Sequence, residues 1–198
     1  MRDGFQGDER RVVQDYDAYF NAQFEAYPLN LLPGQVACSD NPDDMIVASV
    51  GAGIFVSIYE PELKTGAACF LLLPRALLDI FPHFGKADPE SVRAALSPLE
   101  NCIGEMKRRG AGKGRIRVRL TGGAAMPGDH EDRGTKNYIF AREYITRKGL
   151  PVLNEDIGGS CVRRIHFFPA SGKVIRRMLH RAEDFSEVSA LENSPFSE

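Results

Sequence analysis

No run of apolar residues in this 198-residue chain is long enough to cross a bilayer. The longest, Ala67 to Leu73, falls far short of the roughly 20 residues that a spanning helix needs. The opening residues, MRDGFQGDERR, lack the apolar stretch of a secretory signal, so a cytoplasmic location is expected. Cysteine is sparse: Cys38, Cys69, Cys102 and Cys161 lie far apart, with no CxxC pair and no histidine at zinc-ligand spacing. In a reducing compartment such thiols are most simply buried small hydrophobes, and neither a disulfide framework nor a metal centre is expected. His83, His130, His166 and His180 are equally scattered. Charge of one sign is also missing. Lys and Arg number 25 against 27 Asp and Glu, a net charge of −2, which gives no general attraction to nucleic acid or to anionic membranes. The double glycines Gly122-Gly123 and Gly158-Gly159 have neither a P-loop lysine nor G-x-G-x-x-G spacing. They read as tight turns, and no cofactor is expected.

What remains is an ordinary folded composition, 43% hydrophobic and 26% charged, at the size of one domain. Such a chain buries roughly two thirds of its unfolded surface and needs no staple. Val12, Val13, Tyr16, Phe20 and Phe24 recur at helical spacing near the start. Leu31-Leu32-Pro33-Gly34 then marks a turn. Met45–Val50, Gly53–Tyr59 and Ala67–Leu73 are apolar runs that suit strands covered on both faces. A helix is expected over 88–110, with Asp88-Pro89 as its start and Gly110 as its stop. Ser97-Pro98-Leu99-Glu100 spells a capping box, so a kink or fresh start is expected there. Arg115–Leu120 alternates as a strand with one charged face, and 134–148 reads as helix. Arg163–Phe168 and Lys173–Leu179 flank Pro169-Ala170-Ser171-Gly172, a hairpin signal. Helices and strands are segregated rather than strictly alternating, which predicts an α+β single domain of mixed β-sheets packed together and flanked by helices.

Lys107, Arg108, Arg109, Lys113, Arg115, Arg117 and Arg119 crowd one segment. An anionic partner is one reading. The plainer one is a solvated helix end followed by the outer face of an edge strand. No aromatic residues interleave the basic ones, so no nucleic-acid partner is expected.

Taken in order, LLPG, MIVASVGAGIFVSIYEP, TGAACFLLLP, RVRLTGGAAM, DRGTKNYIFAREYI and VLNEDIGGSCVRRIHFFPASGKVIRRML resemble the CheD family, the chemoreceptor glutamine deamidases of bacterial chemotaxis. The resemblance runs from about Tyr16 to Leu179. It implies a CheD-like domain over 28–180, preceded by the helical extension that the apolar spacing predicts over 1–27 and followed by the acidic, Ser-rich stretch 181–198, which is expected to be a flexible tail. It also implies a chemistry, in which a cysteine thiolate attacks a glutamine carboxamide, ammonia leaves a thioester, and water releases glutamate. A histidine acts as acid and base, and a threonine orients it.

At the matching positions those groups are replaced. The family cysteine falls on Gly53, the histidine seventeen residues later on Phe70, and the threonine on Val47 or Ala48. Loss of a nucleophile or base alone costs a serine protease about a million-fold. The expectation is therefore a catalytically inactive CheD-like protein that binds chemoreceptor cytoplasmic helices or a CheC-type phosphatase, without membrane insertion. The alternative is an active deamidase using a relocated thiol. Cys161, in Gly159-Ser160-Cys161-Val162, is the candidate. On one extended strand His166 would lie roughly 16 Å from it and on the opposite face, so those two form no dyad. Cys69, next to Phe70, should face away from it.

Overall fold

The structure is a computed structural model that describes residues 21–83 and 88–194. Most of the helix expected over 1–27 lies outside the described residues. Its last members, including Phe24, instead form a turn closed by the bridge between Asn21 and Ala26. Nine strands then form two sheets. The first holds β1 (Tyr27–Asn30), β3 (Asp44–Val50), β8 (Val162–Phe168) and β9 (Lys173–Leu179), in that order. The second has the order β2 (Val36–Ser39), β5 (Thr65–Leu71), β4 (Ile54–Glu60), β6 (Arg117–Gly122) and β7 (Val152–Ile157). Each sheet is mixed, with one parallel pair: β1 with β3, and β6 with β7. The fold is α+β.

The continuous apolar runs are explained by burial on both faces. One face of the second sheet packs against the first through Ile46, Ala48, Phe55, Ala68, Phe70 and Phe167. The other packs against α2 (Pro89–Arg108) and α3 (Arg133–Arg147) through Val56, Cys69, Leu99, Cys102 and Ile145, among others. Alternation along β5 therefore sends Cys69 to the helical side and Phe70 to the inter-sheet side. A short helix, α1 (Arg75–Leu78), leads from β5 toward α2.

Three sequence expectations are corrected. The helix over 89–108 is unbroken, with Pro98 inside it and buried; packing of its apolar stripe outweighs the one lost backbone hydrogen bond. The charged strand β6 is not an edge strand, because β7 pairs along its outer side. Arg115, just before the strand, pairs with Glu60 at 2.9 Å, and within it Arg119 donates to the Gly172 carbonyl. Finally, the acidic stretch expected to be a flexible tail contains α4 (Ala182–Glu192). Asp184 caps its start by accepting from Arg181 N at 3.3 Å and from the Arg181 guanidinium, and Asp184, Val188 and Glu192 form one buried stripe at four-residue spacing. Individually weak polar residues become ordered because this stripe faces the domain.

Candidate functional site

The loop Gly51-Ala52-Gly53 carries the chain from β3 in one sheet to β4 in the other. Every carbonyl in it is held from behind. Gly51 O accepts from Ala124 N at 2.8 Å, Gly53 O from Gly123 N at 2.9 Å, and Ala52 O from Asn137 Nδ2 at 3.0 Å. Asn137 is fully buried on α3 and also accepts from Leu73 N at 2.8 Å, tying the loop to the end of β5. With the carbonyls fixed on one side, the three N–H groups converge on the other. All three donate to one carboxylate: Gly51 N and Gly53 N to Glu192 Oε1 at 3.0 and 2.9 Å, and Ala52 N to Oε2 at 2.9 Å. Successive amides arranged in this way form an anion-binding concavity.

Glu192 reaches the loop from the last turn of α4 and is 2% exposed. Burial pushes its carboxyl above the ordinary value, and the three amides and the Arg133 charge only partly oppose this. Arg133 also fixes the end of α4, donating from Nη1 to Asn193 Oδ1 at 2.7 Å. A cleft of about 260 Å³ opens beside the loop, lined by Ala52, Met126, His130, Arg133, Ser189 and Glu192 among others.

Gly53 has no room for a side chain. A Cβ there would overlap the ring edge of Phe70 and stand 3.1 Å from Leu71 O and 3.2 Å from Glu192 Oε1. Gly51 is as tightly held, since a Cβ would lie 2.6 Å from Met126 Sδ. Phe70 is 1% exposed and pairs across the ladder with Phe55. The LLPG turn fixes its backbone: Gly34 N donates to Phe70 O at 2.8 Å, and Phe70 N donates to Gln35 O at 3.1 Å. Phe70 is therefore a core plug rather than an exposed contact residue. Ala48 shares its inter-sheet layer, whereas Val47 points to the other face of β3, among Ala26 and Met45. The residues at the expected nucleophile, base and orienting positions thus lie together and bear no group able to move a proton.

The thiols behave differently from one another. Cys69 on β5 and Cys102 on α2 are buried where the helix packs on the sheet, and burial holds the Cys102 thiol well above its ordinary value. Burial likewise pushes Cys38 up to about 11, against the opposing Arg109 charge. Cys161 is half-buried rather than buried. His166 is not its partner, as strand alternation predicts, but its Sγ lies 3.3 Å from His180 Nδ1. The hairpin register explains the meeting: Val162 pairs with Leu179, so the next residues outward, Cys161 and His180, come opposite each other. The strands and turn read from the sequence already imply this register. Neither residue lines the cleft beside Gly53, and among the described residues no other hydrogen bond orients the His180 ring. Glu192 carried no sequence signal, and the G-x-x-N pattern marks Asn137 without giving it a role. Among the described residues, no group of three or more His, Cys, Asp or Glu side chains is placed to hold a metal ion, and no helix is long and apolar enough to cross a membrane.

A family model described as CheD chemotactic sensory transduction matches residues 80–178, half of the chain. The chain belongs to the CheD family. Its relatives include a protein of Xanthomonas campestris pv. campestris that is 29% identical over 92% of this chain and 88% of its own length. A second, from Rhodopseudomonas palustris, is 27% identical over 86% of this chain and 78% of its own. A third, from Caulobacter vibrioides, is 27% identical over 78% and 79%. All three are described as probable chemoreceptor glutamine deamidases.

Proposed function

We propose that this CheD-family protein acts in the cytoplasm as a binding protein of the chemotaxis system and has lost deamidation at the family position. Its partners are the cytoplasmic helices of chemoreceptors or a CheC-type phosphatase. The observation that carries this reading is the packing at Gly53, where the Phe70 ring fills the space a nucleophile would need. The three amides best placed to stabilise an oxyanion are meanwhile occupied by Glu192. A phenyl ring can neither accept nor donate the proton that thiol activation and ammonia departure require. The test is incubation of the purified protein with a chemoreceptor cytoplasmic fragment, followed by peptide mass analysis. Glutamines should remain glutamines while the fragment is retained by the immobilised protein. Conversion to glutamate refutes the loss of activity.

A second reading rests on the 3.3 Å approach of Cys161 Sγ to His180 Nδ1. It is an amidohydrolase with a relocated thiol, in which His180 takes the thiol proton and returns it to the departing ammonia. If glutamate appears in the assay and disappears with either Cys161→Ala or His180→Ala, this second reading replaces the first.

A further inference from the structure

We infer that the Gly51–Gly53 loop is a carboxylate-binding site, that α4 is its resident ligand through Glu192, and that the glutamate side chain of a partner helix takes the same place when α4 lifts away. This rests on the proposed binding of partner helices and adds that they come to this face of the molecule.

The donor pattern sets the ligand. The three loop N–H groups converge on two oxygen atoms at 2.9–3.0 Å, and the loop's three carbonyls are all turned back and satisfied. The site therefore presents donors only. A carboxylate offers an acceptor to each amide. A carboxamide offers one oxygen, and its NH2 must face an amide hydrogen, leaving a buried donor unpaired. Burial offsets the extra strength of hydrogen bonds to a charged acceptor, so the preference rests on that unpaired donor, which disfavours glutamine by about tenfold. In a family whose reaction turns glutamine into glutamate, the remnant site is shaped for the product side chain.

The way α4 is seated suits exchange. It belongs to neither sheet. Its own residues, Arg181 and Asp184, complete its N-terminal cap. Its apolar anchor is small: Val188, with Phe185 partly buried, against Ala52, Ala124, Met126 and Val162. What it presents to the domain is an apolar side chain followed one helical turn later by a carboxylate. Any helix with that pair at four-residue spacing can place the same two groups. The rim is mixed in charge, with Arg75 and Arg133 beside Asp129 and Glu131, and Arg133 stands beside the nest with its Nε buried and unpaired.

The test follows the backbone amide resonances of Gly51, Ala52 and Gly53 in the full-length isotope-labelled protein. The probes are a synthetic peptide of residues 181–194 and the same peptide carrying glutamine in place of its glutamate at 192. In the Glu192→Ala protein, the glutamate peptide is expected to shift these three amides and to bind about tenfold more tightly than the glutamine peptide. In the wild-type protein, competition from the resident side chain should weaken the glutamate peptide at least tenfold. Equal affinity for the two peptides, equal affinity of the two proteins, or unmoved loop amides in a folded variant would each overturn the inference. Should Glu192→Ala fail to fold, Glu192→Gln keeps the shape of the resident side chain while weakening its hold, and the same outcomes apply. Receptor fragments retained equally in their glutamine and glutamate forms would sink this inference alone. Glutamine conversion with intact glutamate-peptide binding would sink only the proposed loss of catalysis.

Discussion

The contact on which the proposed loss of activity rests is between position 53 and Phe70, and it can be measured as a coupling energy. Gly53→Ala adds one methyl group where the Phe70 ring edge, the Leu71 carbonyl and Glu192 Oε1 already stand. The Leu71 oxygen is backbone and cannot swing aside, and Phe70 is enclosed between the sheets. Overpacking of this kind costs about 1–3 kcal/mol. Phe70→Ala alone should cost about 3–5 kcal/mol through lost burial and the cavity left behind. In the double variant the overlap with the ring is gone and only the looser contacts with Leu71 O and Glu192 Oε1 remain, so most of the penalty disappears and the pair couples by about 1 kcal/mol or more, whereas independent sites add within about 0.5 kcal/mol. Urea unfolding reads this directly: at a slope near 2 kcal/mol per molar, about 1 kcal/mol shifts the midpoint by about 0.5 M. Additive shifts would refute the claim that Phe70 fills the vacated space. The same geometry sets the terms for restoring chemistry. Gly53→Cys with Phe70→His would place the new thiol next to the Glu192 carboxylate, which raises a thiol pKa and blocks the amides. Glutaminase activity is therefore expected from the triple variant with Glu192→Ala, and not from the double.

Asn137→Ala should destabilise the protein by about 2–4 kcal/mol, because it strands the Leu73 amide and the Ala52 carbonyl in the interior; Asn137→Asp should preserve the first bond and lose the second, and a calorimetric melt separates the two. His166 is held below its ordinary value of 6.5 by burial and then by the Arg164 charge, with a hydrogen bond involving the Ile175 backbone opposing. The folded form thus binds fewer protons than the unfolded one, so this residue's share of stability is lost as pH falls from about 6.5 toward the folded value and is constant above it. His166→Phe, which keeps a ring against Phe24, should flatten the urea midpoint between pH 5 and 7, and parallel slopes in variant and wild type would show the attribution to be wrong. At neutral pH, iodoacetamide should label Cys161 no faster than a cysteine in a free peptide, and His180→Ala should leave that rate unchanged. Labelling tenfold faster that falls with His180→Ala would favour the relocated thiol.

Residues close in sequence settled much of this protein by themselves. The continuous apolar runs give β3, β4 and β5, the Asp88-Pro89 start gives α2, and Pro169–Gly172 gives the β8–β9 turn. The order of the motifs gives the family. These features were legible because alternation, caps and turns depend on neighbours a few residues away. Pro98 and β6 were misread for the complementary reason: whether a helix survives its proline, and whether a strand lies at an edge, depends on what packs alongside. The third dimension alone decided that Glu192 would meet amides 139 to 141 residues away, and that Asn137 would pin a loop 85 residues before it. Such contacts leave no local trace, because their energy comes from removing a charge and its donors from water together. That can happen only after two sheets and a terminal helix have closed around them.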